Sequence, residues 1–319
     1  LRLKTLLEEA ETVNASQLRE LIIHSTDQAE EEKRMGVVGK GERIGGLVKL
    51  PPRGRILIVG DIHGDLRSLR HVLFNSSFRR MEDGGEGSKS FTAIFLGDYV
   101  DRGDRSIETL YVSLELKRLH PGQVVLLRGN HEGPKDIPVY PHELPYLYRM
   151  RFKEEGETLY DETVNLFQKL PHAALVEERF LMVHGGVPYG LKSLEDLAYA
   201  DETHPKTRFL EEILWSDPAE GFTGVRPSPR GAGMLFGPDV SWNALETLGV
   251  NVIVRGHEPC EDGFKVNHQG KVLTLFSRLG PPYFNRSASY LEVDAQARGF
   301  DAYRLSRFAT CFSENDLDT

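Results

Sequence analysis

Cysteine is nearly absent. Cys260 and Cys311 are the only two in 319 residues, too far apart to form a CxxC pair, so a reduced, cytoplasmic setting is the expectation. No stretch is long and apolar enough to cross a bilayer. Residues 1–10 alternate apolar and charged groups instead of forming a signal peptide, and no membrane partner is expected. The chain also has no surplus of basic residues. Its formal net charge of −9 argues against a nucleic-acid partner, because phosphate backbones attract basic faces, although a small pocket can carry the opposite sign. There is no internal repeat, and no GxSxG motif of a nucleophilic serine.

What is present is a sizeable core. Hydrophobic residues make up 39% of the chain, and the length fits one large α/β domain or two modest ones. Leu3, Leu6, Leu7 and Ala10 recur at helical spacing. A second helix starts near Asn14 or Ser16 and runs through Leu18, Leu21 and Ile22 to a solvated end at residues 30–34. Residues 36–46 are glycine-rich and read as a loop. Residues 55–59 (RILIV) carry the signal of a buried strand and end in Gly60. Two more strands are expected over 91–96 and 124–127, with helices over 66–78 and 106–119. A fourth strand ends at Val183 and a fifth includes 252–254. Residues 264–278 read as a hairpin turning near Gln269-Gly270, and 290–305 as another turning near 297–299. Residues 82–90 read as a flexible surface loop away from the chemistry.

This order favours an α/β fold, with two packed sheets and helices outside. The expected organisation is N-terminal helices and a connecting loop over 1–50, a catalytic domain over 51–308, and a polar, disordered tail over 309–319.

Three motifs each follow an expected strand: Gly60-Asp61-Ile62-His63-Gly64, then Gly97-Asp98-Tyr99-Val100-Asp101-Arg102-Gly103, then Gly129-Asn130-His131-Glu132. Loops at the carboxyl ends of neighbouring strands converge in space. Asp, His and an Asn carbonyl offer oxygen and nitrogen donors without thiolate, a set suited to Mn²⁺, Fe²⁺/³⁺ or Zn²⁺. His184 (before Gly185-Gly186) and His257 (after Arg255-Gly256) sit in matching contexts. These donors outnumber what one tetrahedral ion takes and suit two ions that share a carboxylate and a hydroxide.

The motif set resembles the metal-dependent PPP-type serine/threonine phosphatases of the calcineurin-like metallophosphoesterases. Leu214-Trp215-Ser216-Asp217-Pro218, Phe236-Gly237 and Leu275-Phe276-Ser277 match further landmarks, and the likeness runs from about Arg55 to about Val293. The resemblance implies a central two-sheet β-sandwich flanked by helices on both sides, in four layers. It implies two divalent or trivalent metal ions, manganese in the test tube and iron or zinc as alternatives. Asp61, His63 and Asp98 would hold the first ion. Asp98, Asn130, His184 and His257 would hold the second, with Asp98 bridging. His131, oriented by Asp101, would be the general acid, and Arg102 and Arg230 would grip the phosphate. The implied reaction is direct attack of a hydroxide held by the ions on phosphoserine or phosphothreonine in a protein or peptide. The resemblance leaves the regulatory partner open.

The physical demands of ester hydrolysis agree with that division. An alkoxide leaves poorly and needs a proton, and a histidine beside a carboxylate holds one more readily near neutrality. Asp at a strand-to-helix turn also serves as a helix cap, but three motifs in order with two later histidines favour metal binding. The remaining histidines, including His24, His142 and His268, are assigned to the surface or to ordinary packing. Arg128 and Arg255 are assigned to bracing the loops, Cys260 to packing, and Trp215 and Trp242 to the core.

Two segments depart from the eukaryotic pattern. Residues 133–151 lack its Arg-x-Tyr, and Ser277 to Tyr283 replaces Ala-Pro-Asn-Tyr-Cys. They imply a prokaryotic-type member, with Tyr283 the candidate for the tyrosine over the active site. A hydrolase of dinucleoside polyphosphates or other small phosphoesters is the alternative with the same metal site. A catalytically silent, metal-stabilised binding module is the non-enzymatic alternative.

Overall fold

The structure is a computed structural model that describes residues 2–85 and 90–317. Two sheets pack face to face. The five-stranded sheet runs in the order Ala309–Phe312, Ala288–Asp294, Arg55–Val59, Phe91–Phe95, Val124–Leu126, with the last three strands parallel. The eight-stranded sheet runs Val37–Val38, Gly41–Ile44, Leu47–Leu50, Ala173–Val176, Phe180–Val183, Val252–Arg255, Val272–Leu275, Phe264–Asn267.

Alternation along the strands separates three cores. Ile56, Ile58, Ile94 and Val125 face Val48, Val176, Met182, Val254 and Leu273 between the sheets. Leu57, Val59, Ala93 and Phe95 point the other way, onto helices that include Arg2–Thr12, Ala15–Met35 and Ser106–Leu119. Leu175, Leu181, Val183 and Ile253 point outward from the second sheet, onto Leu210, Ile213, Trp215 and Val240. The result is the expected four layers of helix, sheet, sheet and helix.

The second helix begins where its capping residues dictate. Asn14 accepts the Gln17 amide while the Gln17 side chain accepts the Asn14 amide, and Gly36 ends the helix at φ 70°. Among the described residues no helix is long and apolar enough to cross a membrane.

Several expectations are corrected. Residues 36–46 hold two strands of the eight-stranded sheet; Gly39 and Gly45 make the turns at positive φ, and Val38 is buried. The expected division at residue 50 therefore falls at the end of a strand inside a sheet. The helix over 66–78 breaks at Ser76, which is extended and caps a second helix, Ser77–Glu82. Of the loop 82–90, residues 86–89 lie outside the described residues. The hairpin over 290–305 is replaced by a strand, a helix and a strand. Asp301 caps Ala302–Ser306, and Ala288–Asp294 pairs with Ala309–Phe312 on one side and with Arg55–Val59 on the other. The tail is accordingly ordered through Leu317, with Phe312 and Leu317 buried; residues 318–319 lie outside the described residues. Trp242 is 51% exposed, with the Lys271 ammonium 4.8 Å from its ring centre.

Candidate metal centre

The three motifs leave the carboxyl ends of the parallel strands Arg55–Val59, Phe91–Phe95 and Val124–Leu126, so their loops meet at one end of the five-stranded sheet. His184 and His257 follow Phe180–Val183 and Val252–Arg255, which are paired in the other sheet. The backbone at this point is unusual. His63, Asp98, Asp101, Arg102 and His257 all have positive φ, between 44° and 69°. Non-glycine residues hold that conformation at a cost, and such residues cluster at functional sites. Two glycines admit the close approach. A Cβ on Gly129 would stand 2.2 Å from Asp98 Oδ1, and one on Gly256 2.3 Å from Asp61 Oδ1.

Asp98 stands at the junction of two groups of donors, one with His63 and His131 and one with His184 and His257. Its Oδ2 is 3.2 Å from His63 Nε2 and 3.3 Å from His184 Nε2. Asn130 Oδ1 lies 2.9 Å from both His184 Nε2 and His257 Nδ1. Those two ring nitrogens are 3.1 Å apart.

The outward nitrogens fix what points inward. His184 Nδ1 faces the Leu96 carbonyl at 3.0 Å, His63 Nδ1 the Val100 carbonyl at 2.9 Å, and His257 Nε2 the Trp215 carbonyl at 3.2 Å. Each carbonyl can only accept, so one proton sits outward on each ring, and in the neutral form the inward nitrogen is bare. Bare lone pairs from His184, His257 and Asn130, within about 3 Å of one another, repel unless a cation lies among them. The Asp61 side chain adds to this: Oδ1 accepts the His257 amide at 2.9 Å, whereas Oδ2 is buried with no hydrogen-bond partner among the described residues and stands 3.7 Å from His63 Nε2. An unpaired buried carboxylate oxygen is expensive unless a cation meets it.

The pKa directions divide: His63 and His257 favour the neutral ring, whereas the carboxylates beside His184 favour a positive charge there. Burial and the neighbouring Asp98 push Asp61 up to about 6. Burial disfavours charge on His184, but Asp98 and Asp61 outweigh it and hold its pKa above the ordinary value. Burial takes His63 down to about 3, and burial with Arg230 takes His257 well below its usual range. The donor set thus fits a metal centre.

Beside it, His131 Nδ1 is 2.6 Å from Asp101 Oδ2, and the His131 ring meets His63 edge-on at 4.7 Å. Burial opposes charge on His131, but Asp98 and Asp101 raise its pKa. Its Nε2 faces the Arg102 guanidinium at 3.4 Å. Two groups that both favour positive charge, side by side, suit an anion. Arg102 is seated by the carbonyls of Pro141 (2.8 Å) and Tyr140 (3.3 Å). Arg230 is held by Asp217 at 2.6 Å and by the His257 carbonyl at 3.3 Å. Arg255 braces Gly185, Asp217 and Glu258, and Arg128 the Glu132 carbonyl. Tyr283 stacks on His63 at 5.8 Å.

Sequence reasoning misses three partners. Glu132 ends the third motif with no role assigned to it; its buried carboxylate accepts the amides of Asp98, Tyr99 and Gly129. Arg278 clamps the His63 carbonyl at 2.9 Å, and its guanidinium lies 5.2 Å from the Tyr283 ring. His142, assigned to surface or packing, has its Nδ1 2.7 Å from Asp101 Oδ2. The motif contains Glu132 without revealing its task, and no local pattern marks Arg278 or His142.

A fold and a site of this kind define a metallophosphoesterase. Residues 54–261 match the model of the calcineurin-like phosphoesterases. A probable serine/threonine-protein phosphatase of Encephalitozoon cuniculi is 35% identical over 249 residues, 76% of this chain and 51% of that protein. A catalytic subunit of protein phosphatase 2A from Dictyostelium discoideum is 34% identical over 257 residues, 79% of this chain and 78% of that protein. The chain therefore spans about half the length of the first relative and most of the second. A protein serine/threonine phosphatase from Saccharomyces cerevisiae, described as similar to human phosphatase PP5, shares the fold. The TM-score is 0.71 and the identity 24%, over 94% of this chain and 90% of that one. The chain belongs to the calcineurin-like phosphoesterase family. Both sequence relatives are eukaryotic, so neither speaks for the prokaryotic type that the two divergent segments imply.

Proposed function

We propose that the protein hydrolyses phosphoserine and phosphothreonine esters in polypeptides with a dinuclear metal centre. The observation that carries this reading is the convergence of bare lone pairs around Asp98 beside the His131–Arg102 pair. The protein-phosphatase names of the two sequence relatives support the choice of substrate.

Asp61, His63 and Asp98 would hold one ion, and Asp98, Asn130, His184 and His257 the other. Bound there, the ions supply charge neutralisation for the phosphoryl group and hydroxide near neutral pH. Manganese is expected in the test tube, with iron and zinc as alternatives. The chain's own groups divide the remaining work. Arg102 and Arg230 offer planar guanidinium groups to the phosphoryl oxygens. His131 gives its Nε2 proton to the serine or threonine oxygen as the phosphorus–oxygen bond breaks, and Asp101 holds the other nitrogen in line. A reduced, cytoplasmic setting belongs to the same proposal and is supported by two unpaired thiols.

The test is an assay of metal-stripped, Mn²⁺-reloaded protein on a phosphoserine peptide and on a panel of dinucleoside polyphosphates. Peptide turnover is expected. Nucleotide turnover without peptide turnover overturns the assignment to proteins.

A further inference from the structure

We propose that His142 is a positioning residue for the proton donor, so that the working unit is His131, Asp101 and His142, with Tyr160 behind. This rests on the assignment of His131 as the acid. Asp101 is fully buried. Its Oδ2 is shared by two imidazoles, His131 Nδ1 at 2.6 Å and His142 Nδ1 at 2.7 Å. Its Oδ1 accepts the backbone amides of Glu143 at 2.8 Å and Leu144 at 2.9 Å. A carboxylate offers about four acceptor sites, and here each is taken. The group cannot turn without breaking two bonds.

The far side of His142 is anchored as well. Its Nε2 lies 2.9 Å from the Tyr160 hydroxyl, on the helix Gly156–Phe167. A carboxylate only accepts, so the direction of the chain follows. The Tyr160 hydroxyl donates to His142 Nε2, and His142 Nδ1–H donates to Asp101.

Asp101 itself sits in left-handed backbone, at φ 65°, a conformation that needs support from its surroundings. Without His142, Oδ2 would be held by His131 alone. The carboxylate could then swing and carry the imidazole off the line to the leaving oxygen. The damage would fall on the one step that needs a proton donor. A residue that only packed the 140–144 loop would slow every substrate alike.

Leaving-group dependence separates these cases. Mn²⁺-loaded protein is assayed on a phosphoserine peptide and on 2,4-dinitrophenyl phosphate, whose phenolate leaves without a proton. His142→Ala is expected to lower kcat on the peptide by roughly 10- to 100-fold, the usual effect of removing a supporting partner. KM should change little, and kcat on dinitrophenyl phosphate by less than about threefold. His142→Asn, whose amide N–H stands in for Nδ1–H, should restore much of the peptide rate. Equal losses on both substrates, or undiminished peptide turnover, overturn the proposal. Should His142→Ala fail to fold, Tyr160→Phe reads the same selectivity at smaller amplitude, and equal or absent losses refute the proposal in the same way. Peptide turnover by the unmutated protein tests the functional assignment separately. If that protein cleaves dinitrophenyl phosphate but not the peptide, glycerol 2-phosphate replaces the peptide as the alkyl ester. If it cleaves no ester, both proposals fall.

Discussion

Glu132→Gln measures how firmly the two central loops are joined. Glu132 Oε2 accepts the Asp98 amide at 2.8 Å and the Gly129 amide at 3.0 Å, and Oε1 accepts the Tyr99 amide at 2.9 Å. Glutamine replaces one acceptor oxygen with an NH₂ group that turns its protons toward an amide proton. With the remaining oxygen on the two-amide side, the Tyr99 amide is orphaned; in the other orientation, two amides are. One orphaned buried donor costs about 1–3 kcal/mol, and the two surviving bonds lose about 1 kcal/mol each with the charge. Against this, burial and Asp98 push the Glu132 pKa up to about 7, so the carboxylate is itself held charged at a cost that glutamine avoids. That relief cancels most of the charge-dependent loss, and the orphaned amide remains: a net destabilisation of about 2 kcal/mol. Urea unfolding of metal-free protein, followed by fluorescence, gives the value from the shift in midpoint. Metal content after reconstitution should fall in parallel, because Asp98 and Asn130 ride on the two loops. A midpoint within about 0.3 kcal/mol of the parent, well below one lost hydrogen bond, would refute the clamp.

Three further outcomes follow from the same contacts. Arg230→Ala should raise KM for a phosphopeptide by about tenfold, and Asp217→Asn, which removes the Arg230 anchor, by a smaller factor in steady-state kinetics. Gly46→Ala should destabilise by about 2 kcal/mol or more in thermal unfolding, because its Cβ would lie 2.1 Å from the ring of His172, itself fully buried. His172 bonds the Leu197 carbonyl at 2.8 Å, and burial holds its pKa below the ordinary 6.5. As pH falls through about 6.5 the unfolded chain takes the proton first, so the stabilisation present above that pH is lost below it. Stability measured from pH 8 to pH 5 should therefore decline less in His172→Gln than in the parent.

The sequence is most readable where meaning is local. Asp61, His63, Asp98, Asn130 and His131 sit in short motifs after β-branched strands, and the strand ends bring them together. His184 and His257 are marked by the glycines beside them. His142 is not, because its role depends on meeting Asp101, 41 residues away, and nothing beside it says so. The same holds for Arg278, whose task is to grip the His63 carbonyl 215 residues back. Among the fold elements, glycines at 36–46 suggest a loop, yet positive φ at Gly39 and Gly45 makes the turns of paired strands. Ala309–Phe312 looks like tail because a strand of four residues is identified by its partner, Ala288–Asp294, rather than by its own composition.

The two sheets of the sandwich contribute unlike shares of the centre. Asp61, Asp98 and Asn130 come from one, His184 and His257 from the other. An ion seated among them would act as a rivet through both plates, and its binding free energy would add to the resistance of the plates to sliding. Chelation should then quicken hydrogen exchange in both sheets at once. By the same linkage, a substitution far out on the hairpin at residues 37–44 that shears one plate against the other should be read first as a weaker grip on metal.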